Sequence, residues 1–207
     1  KNIYMQSIGF LPNRNKKHST QGKFPSVGWK KNNLWNNFLP FETHPKIENP
    51  KGGMLVNTNN RITESTFPTH ISYDWGDSQR IIRASRLLNK REFHTVGSFK
   101  EIQTDTVSVS ARILLPLLAK NLWFGQQADQ NFKPYNIEDR VLKRLSEWNG
   151  NMNQNYSEPL IFVSWLREFQ SMVMVDELGS LYNKIHSIKP LFLERVLRNK
   201  NGASEWC

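Results

Sequence analysis

The sequence predicts an α+β fold, with strands and loops in about residues 1–75 and helices in the remainder of the 207-residue chain. Gly and Pro recur every few residues as far as Gly53, and proline interrupts both helices and central strands. From Asp77 onward, apolar residues instead recur at helical spacing. Seven Trp and twelve Phe in this length indicate a sizeable core.

Two strands are predicted in the first part of the chain. Residues 3–8 form the first, and residues 53–58 form a stronger one that follows a Gly-Gly turn and ends at Asn59-Asn60. Two strands cannot make a closed sheet. We therefore expect their hydrogen-bonding partners to lie outside this chain.

Helices are predicted from Asp77 onward. Asp77 or Ser78 can cap the first, and Ser98 and Glu101 have the spacing of a capping box. The further helices are predicted over about 106–121 with a kink at Pro116, 137–148 closed by Gly150, 159–178 with Pro159 in the first turn, and 191–198.

The charge is unevenly distributed. Residues 1–100 carry 16 Lys and Arg against 6 Asp and Glu, whereas residues 101–207 carry 12 of each, so the first half holds the whole net charge of +10. A basic half suits nucleic acid, but its cations are scattered and match no recognised nucleic-acid motif. We expect no nucleic-acid partner. A basic binding module formed by residues 1–61 stays an alternative.

Other classes of protein are excluded by length and composition. The longest apolar stretches, 113–119 and 160–163, fall far short of the roughly 18 residues of a membrane span, so no membrane partner is predicted. The single cysteine, Cys207, excludes an internal disulfide and a cysteine zinc site. The chain begins at Lys1 and ends on Trp206-Cys207, which predicts a middle piece of a longer protein.

Motifs of common enzyme classes are missing from the sequence. It contains no Gly-rich phosphate loop, no paired-histidine metal motif and no Gly-x-Ser-x-Gly, and its five histidines are isolated from one another. A structural role is therefore expected for each histidine. Scattered Asp and Glu form no obvious acid–base pair.

Three segments, in order, resemble the penicillin amidase family. Residues 7–14, Ser-Ile-Gly-Phe-Leu-Pro-Asn-Arg, are similar to its Gly-x-Ile-Pro-x-Arg segment. Residues 35–61 are similar to its Trp-x-Gly-Phe-Ile-Pro-Phe block, which leads through Asn-Pro-x-x-Gly to a strand closing with Asn-Asn, although Asn37 replaces the usual Gly. The third segment resembles the family's Trp-to-Arg helix start. It comprises Trp75-Gly76, Arg80 and 86–88.

Further positions also have the family's spacing. They are His94-Thr95, Gln103, Asp105, Ser108, Trp148-Asn149-Gly150 and Trp206-Cys207, so that the resemblance covers nearly the whole chain.

The resemblance implies an N-terminal-nucleophile hydrolase with an αββα fold, of which residues 1–207 would be an internal fragment of the β-subunit domain. Such an enzyme cleaves a linear amide, here penicillin-like or N-acyl-homoserine-lactone-like, with an N-terminal Ser that this segment lacks. Its partners would be the α subunit, the nucleophile-bearing part of the β subunit and the small-molecule amide. The compartment implied is the periplasm. A truncated, non-catalytic remnant stays an alternative.

The resemblance assigns two catalytic residues. Asn59 matches the Asn whose amide holds the oxyanion, and Arg80 matches the Arg that supports the site from the following helix. From the residues alone, Asn-Asn after a strand is most often a turn, and an Arg early in an amphipathic helix is most often solvated. Substrate-binding residues are expected elsewhere. Some relatives bind calcium, but residues 67–73 hold no carboxylate, so no metal or other cofactor is expected.

Overall fold

A computed structural model describes residues 2–35, 37–128, 139–185 and 188–206. The chain divides into two compact units, Lys1–Gly76 (unit 1) and Asp77–Cys207 (unit 2). This boundary lies where the sequence predicts the change from strands and loops to helices. No helix within the described ranges has the length and apolar character needed to cross a bilayer.

Unit 1 contains a two-stranded antiparallel sheet. Strand β1, Tyr4–Gln6, pairs with β2, Lys46–Glu48, with Met5 opposite Ile47. Backbone hydrogen bonds continue beyond both ends of the ladder, from Ser7 N–H to Pro45 O (2.9 Å) and from Asn49 N–H to Ile3 O (3.0 Å). The first predicted strand, 3–8, is confirmed in its central part. The partner strand is too short to leave a pattern in the sequence.

The strand predicted over 53–58 is wrong. These residues form no strand, and within the described part of the chain the only sheet is β1 with β2. Apolar alternation predicts which face of a strand is buried, but a strand also needs a neighbour to receive its main-chain hydrogen bonds. Residues 53–58 have no such neighbour here.

Polar side chains hold the loops of unit 1 together. The His44 ring nitrogens lie 3.1 Å from Ser7 O and 3.2 Å from Leu39 O, and the ring is almost fully buried. His18 Nδ1 accepts the N–H groups of Thr20 and Gln21. The expected structural role is thereby confirmed for these two histidines.

Unit 2 is helical. Its helices are α1 Ser78–Leu88, α2 Val96–Gln103, α3 Val109–Ala128, α4 Asp139–Glu147, α5 Glu158–Leu178 and α6 Pro190–Leu197. Short 3-10 helices follow α5 and α6, at Gly179–Lys184 and Lys200–Trp206.

The predicted capping box is wrong by three residues. Thr95 is the N-cap of α2, because its Oγ1 accepts the Ser98 N–H (3.2 Å) while Ser98 Oγ accepts the Thr95 N–H (2.9 Å). Ser98 is therefore the inner partner of the box, and its side chain is buried there.

The other predicted helices are confirmed with shifted ends. The helix predicted over 106–121 begins at Val109 and extends to Ala128 with Pro116 inside it. The predicted start at Ile137 lies outside the described residues, and α4 ends at Glu147. The helices predicted over 159–178 and 191–198 agree with α5 and α6 to within one residue.

The apolar core lies in unit 2. Within the described ranges, every fully buried apolar side chain belongs to this unit, and the main cluster joins α3, α4, α5 and α6. Its members include Leu114, Leu145, Phe162 and Leu193, each at most 2% exposed. Burying each of these side chains contributes roughly 1.5–3 kcal/mol, so packing of these four helices dominates the stability of unit 2.

Candidate functional site

Asn59 lies in a turn that short polar side chains define. Its N–H donates to Asn57 Oδ1 (2.9 Å), and the Thr58 N–H donates to Asn60 Oδ1 (3.1 Å). The φ angle of Asn59 is +66°, a left-handed conformation that asparagine tolerates better than most residues. Asn59 is an exposed residue, so the turn presents it at the surface of unit 1.

A hydrogen bond from Gly76 fixes the main chain of Asn59. The Gly76 N–H donates to the Asn59 carbonyl oxygen over 2.6 Å. A Cβ at position 76 would lie 2.8 Å from that oxygen, which is closer than real contacts allow. Glycine at 76 is thus required by this close approach.

Arg80 is the third residue of α1. The helix is capped by Asp77, whose Oδ1 accepts the Ser78 N–H over 2.7 Å. The buried Gln79 amide donates to the same carboxylate in the orientation that turns its nitrogen towards Asp77. These contacts fix the first turn, while Arg80 itself is exposed.

A bidentate ion pair holds the middle of α1. Arg83 Nε and Nη2 donate to the two oxygens of Asp105 over 2.8 and 2.5 Å, and Asp105 also accepts the Val107 N–H. The Arg83 guanidinium lowers the pKa of the Asp105 carboxyl, and Asp105 raises the pKa of Arg83. Asp105 is one of the positions that have the family's motif spacing. No motif in the sequence predicted that Arg83 would be its partner.

Other residues of the motif series have structural roles. The Ser108 N–H donates to Gly150 O (2.8 Å), and Arg112 Nε donates to Asn149 O (2.6 Å), so the segment after α4 binds the start of α3. Gly150 has a φ of +80°, and a Cβ there would lie 3.1 Å from Ser108 O. Both facts favour glycine at this position.

Two further histidines have identifiable surroundings. His94 Nε2 lies 2.9 Å from Leu88 O and Nδ1 lies 3.2 Å from Ser98 Oγ, so its ring joins the end of α1 to α2. In unit 1, burial together with Arg14 and Arg61 lowers the pKa of His70. Among the residues that the structure describes, no three His, Cys, Asp or Glu cluster closely enough to hold a metal ion.

The two predicted catalytic residues belong to different units. Asn59 lies in unit 1 and Arg80 in unit 2. Each is exposed. Hydrogen bonds within unit 1 hold the main chain of Asn59, and the Asp77 cap within unit 2 holds the first turn of α1. That they serve one cleft stays a prediction.

Comparison with protein families gives a match over the whole chain. The penicillin amidase family model matches residues 1–207. The acyl-homoserine lactone acylase QuiP of Pseudomonas syringae pv. tomato is 26% identical over 182 residues, covering 86% of this chain and 22% of that protein. Penicillin G acylase of Escherichia coli is 27% identical over 154 residues, covering 72% of this chain and 17% of that protein. The chain thus spans about a fifth of the length of the curated relatives it matches.

A solved structure gives a similar fold. The thermostable penicillin G acylase of Alcaligenes faecalis superposes with a TM-score of 0.63 at 22% sequence identity. The superposition covers 90% of this chain and 33% of that one. The path of this chain therefore follows part of a penicillin acylase fold.

Proposed function

Since this chain belongs to the penicillin amidase family, we propose that it is part of a hydrolase that cleaves the amide bond of a small acylated substrate. The observation that carries the proposal is the family match over all 207 residues. The assignment of Asn59 and Arg80 rests in addition on the resemblance of the sequence motifs. We propose further that the complete enzyme has an αββα fold. This chain would contribute two short strands and much of a helical layer to it.

The remainder of the enzyme would supply what this segment lacks. The relatives are about five times longer than the matched part, which supports a larger whole. We place the nucleophilic Ser and the α subunit in that remainder, and the chain 1–207 in the β-subunit domain. Alone, the chain is expected to be inactive. By resemblance to the family, the compartment is the periplasm.

Asn59 is proposed to stabilise the oxyanion. In the reaction, the Ser hydroxyl attacks the amide carbonyl, the enzyme's α-amino group takes the hydroxyl proton, and negative charge develops on the carbonyl oxygen. An Asn amide is a neutral donor that keeps its proton. The hydrogen bonds at Asn59 N and O support this role, because an oxyanion donor must be held before the charge forms.

Arg80 is proposed to support the same site electrostatically. A cation in the first turn of a helix opposes the helix dipole, which costs a few tenths of a kcal/mol in an exposed helix. The same position strengthens the attraction for a developing anion.

The names of the relatives support a proposal for the substrate class. Their names give penicillin G and acyl-homoserine lactones as substrates, and both contain an acyl group on an amine. We propose the same linkage for the enzyme that contains this chain. The acyl group would be transferred to the Ser and then to water, with release of the amine first.

The test is hydrolysis by the full-length protein. Purified enzyme is incubated with penicillin G and with N-acyl-homoserine lactones of several chain lengths, and the free acid is measured. We expect turnover of at least one amide, its loss in Arg80→Ala, and its retention in Arg167→Ala, which removes an exposed Arg from α5. An absence of turnover with every amide would overturn the proposal, as would equal turnover by residues 1–207 alone.

A further inference from the structure

One carboxylate receives hydrogen bonds from two helices in unit 2. Asp77 Oδ1 accepts the Ser78 N–H at the start of α1 (2.7 Å), and Oδ2 accepts the Leu191 N–H at the start of α6 (3.1 Å). With its amide turned so that nitrogen faces the carboxylate, Gln79 also donates to Oδ2, over 3.2 Å. The half-buried Asp77 is thus surrounded by donors.

Helix α6 depends on this contact for its cap. Its N-cap residue, Lys189, makes no side-chain capping hydrogen bond, and Pro190 at the first position has no N–H to satisfy. Leu191 is then the first residue of α6 that needs an acceptor, and Asp77 provides it from 114 residues earlier in the chain. The positive ends of two helix dipoles face one negative charge, which stabilises both ends.

Helix α6 is itself fixed in the core. Leu193 is 0% exposed and Val196 is 1% exposed, and each belongs to a cluster of buried side chains. Through Asp77, the first turn of α1 is therefore bound to a helix that cannot shift without disturbing the core. The Arg83–Asp105 pair holds α1 on the other side of Arg80.

We propose that Asp77 is a positioning residue for Arg80, which anchors the first turn of α1 to the start of α6. The proposal rests on the function proposed for Arg80. Asp77 does not touch the substrate; it restricts where the Arg80 main chain can lie. Small displacements of a charged group at a reacting centre reduce rates strongly, by up to about 100-fold for 1 Å.

The variants separate anchoring from local capping. Asp77→Ala removes both acceptor oxygens, and Asp77→Asn keeps one of them with a similar shape. Asp176→Ala is the matched control, because Asp176 Oδ1 also accepts the N–H of the next residue (Glu177, 3.0 Å) but lies on the exposed side of α5. All three are made in the full-length enzyme.

Two measurements are made on each variant. Amide hydrogen exchange is followed over residues 78–88 and 190–197, and kcat and KM are measured for an acyl amide that the wild type hydrolyses. In Asp77→Ala we expect faster exchange in both segments and a kcat lower by on the order of tenfold with KM nearly unchanged. Asp77→Asn should recover part of both losses, and Asp176→Ala should match the wild type in both.

The outcomes test separately whether Asp77 anchors α1 and whether this anchoring affects catalysis. Unchanged exchange in Asp77→Ala overturns the anchoring, whatever the activity. Faster exchange with unchanged kcat shows a cap without a positioning role and overturns the proposal. If the wild type hydrolyses no amide, the proposed function fails, and exchange alone decides whether Asp77 holds the turn that carries Arg80.

Discussion

Gly76 leaves no space for a side chain beside the Asn59 carbonyl. Its φ lies outside the left-handed region, so space alone opposes substitution. Gly76→Ala should therefore lower the free energy of unfolding by about 1–3 kcal/mol, the usual cost of overpacking. Denaturant titration of the chain measures this.

Gly28→Ala is the matched control for that substitution. Gly28 also lies outside the left-handed region, and a Cβ there meets nothing within 4 Å. Its stability should be unchanged or slightly raised, because Ala restricts the unfolded chain. Equal losses in the two variants would show that the contact with Asn59 is not what requires glycine at 76.

Individual site residues could be predicted from the sequence only through the order of motifs. Asn59 and Arg80 were assigned as candidates in this way, since each occupies a position in a longer pattern, and their catalytic roles stay predictions. The contacts that position the segments around these residues could not be predicted from the sequence. Asp77 binds Leu191 across 114 residues and Arg83 binds Asp105 across 22, and no local pattern reports contacts of that separation.

At the scale of elements, helix α1 depends on the ion pair between Arg83 and Asp105. Their side chains are only 18% and 16% exposed, so the pair is shielded from solvent. Asp105→Asn should lower the free energy of unfolding at pH 7 by about 2 kcal/mol, because a charged, bidentate acceptor is lost. Glu101→Gln is the control, since the Arg91–Glu101 pair is much more exposed and should contribute little.

The difference in unfolding free energy between the wild type and Asp105→Asn should depend on pH. Arg83 lowers the pKa of Asp105 in the folded state. The stabilisation is then complete above the unfolded pKa of about 3.9 and is lost as the pH falls through the lower folded pKa. Unfolding free energies of wild type and Asp105→Asn should converge towards pH 2. A difference that stays constant from pH 7 to pH 2 would contradict the account.

Helices were predicted more completely than strands, for a physical reason. A helix satisfies its hydrogen bonds within one segment, so periodicity and caps indicate it locally, as for α5 and α6. Residues 53–58 have the composition of a strand but no neighbour to pair with. Strand β2, in contrast, has only three residues, and β1 is what makes it a strand.

At the scale of the whole molecule, unit 1 exposes much apolar surface. Ile8, Phe10 and Trp29 are each more than 80% exposed, and Phe10 stacks only on the half-exposed Phe38 within the described contacts. Surfaces of this kind mark interfaces. We expect residues 1–207 alone to bind a hydrophobic dye more strongly than an equal amount of the full-length protein. Equal dye fluorescence would contradict the expectation that the rest of the enzyme covers this surface.

The central claim is that Asn59 holds the oxyanion, and kcat of the full-length enzyme with Asn59→Ala tests it most directly. Loss of one oxyanion donor lowers kcat by about 10²–10³-fold. We predict a loss of that size with KM little changed, because the donor acts mainly when charge develops. The exposed Asn155 is the matched control, and Asn155→Ala should keep wild-type kcat. A kcat for Asn59→Ala equal to that of the wild type, on an amide that the wild type hydrolyses, would contradict the claim.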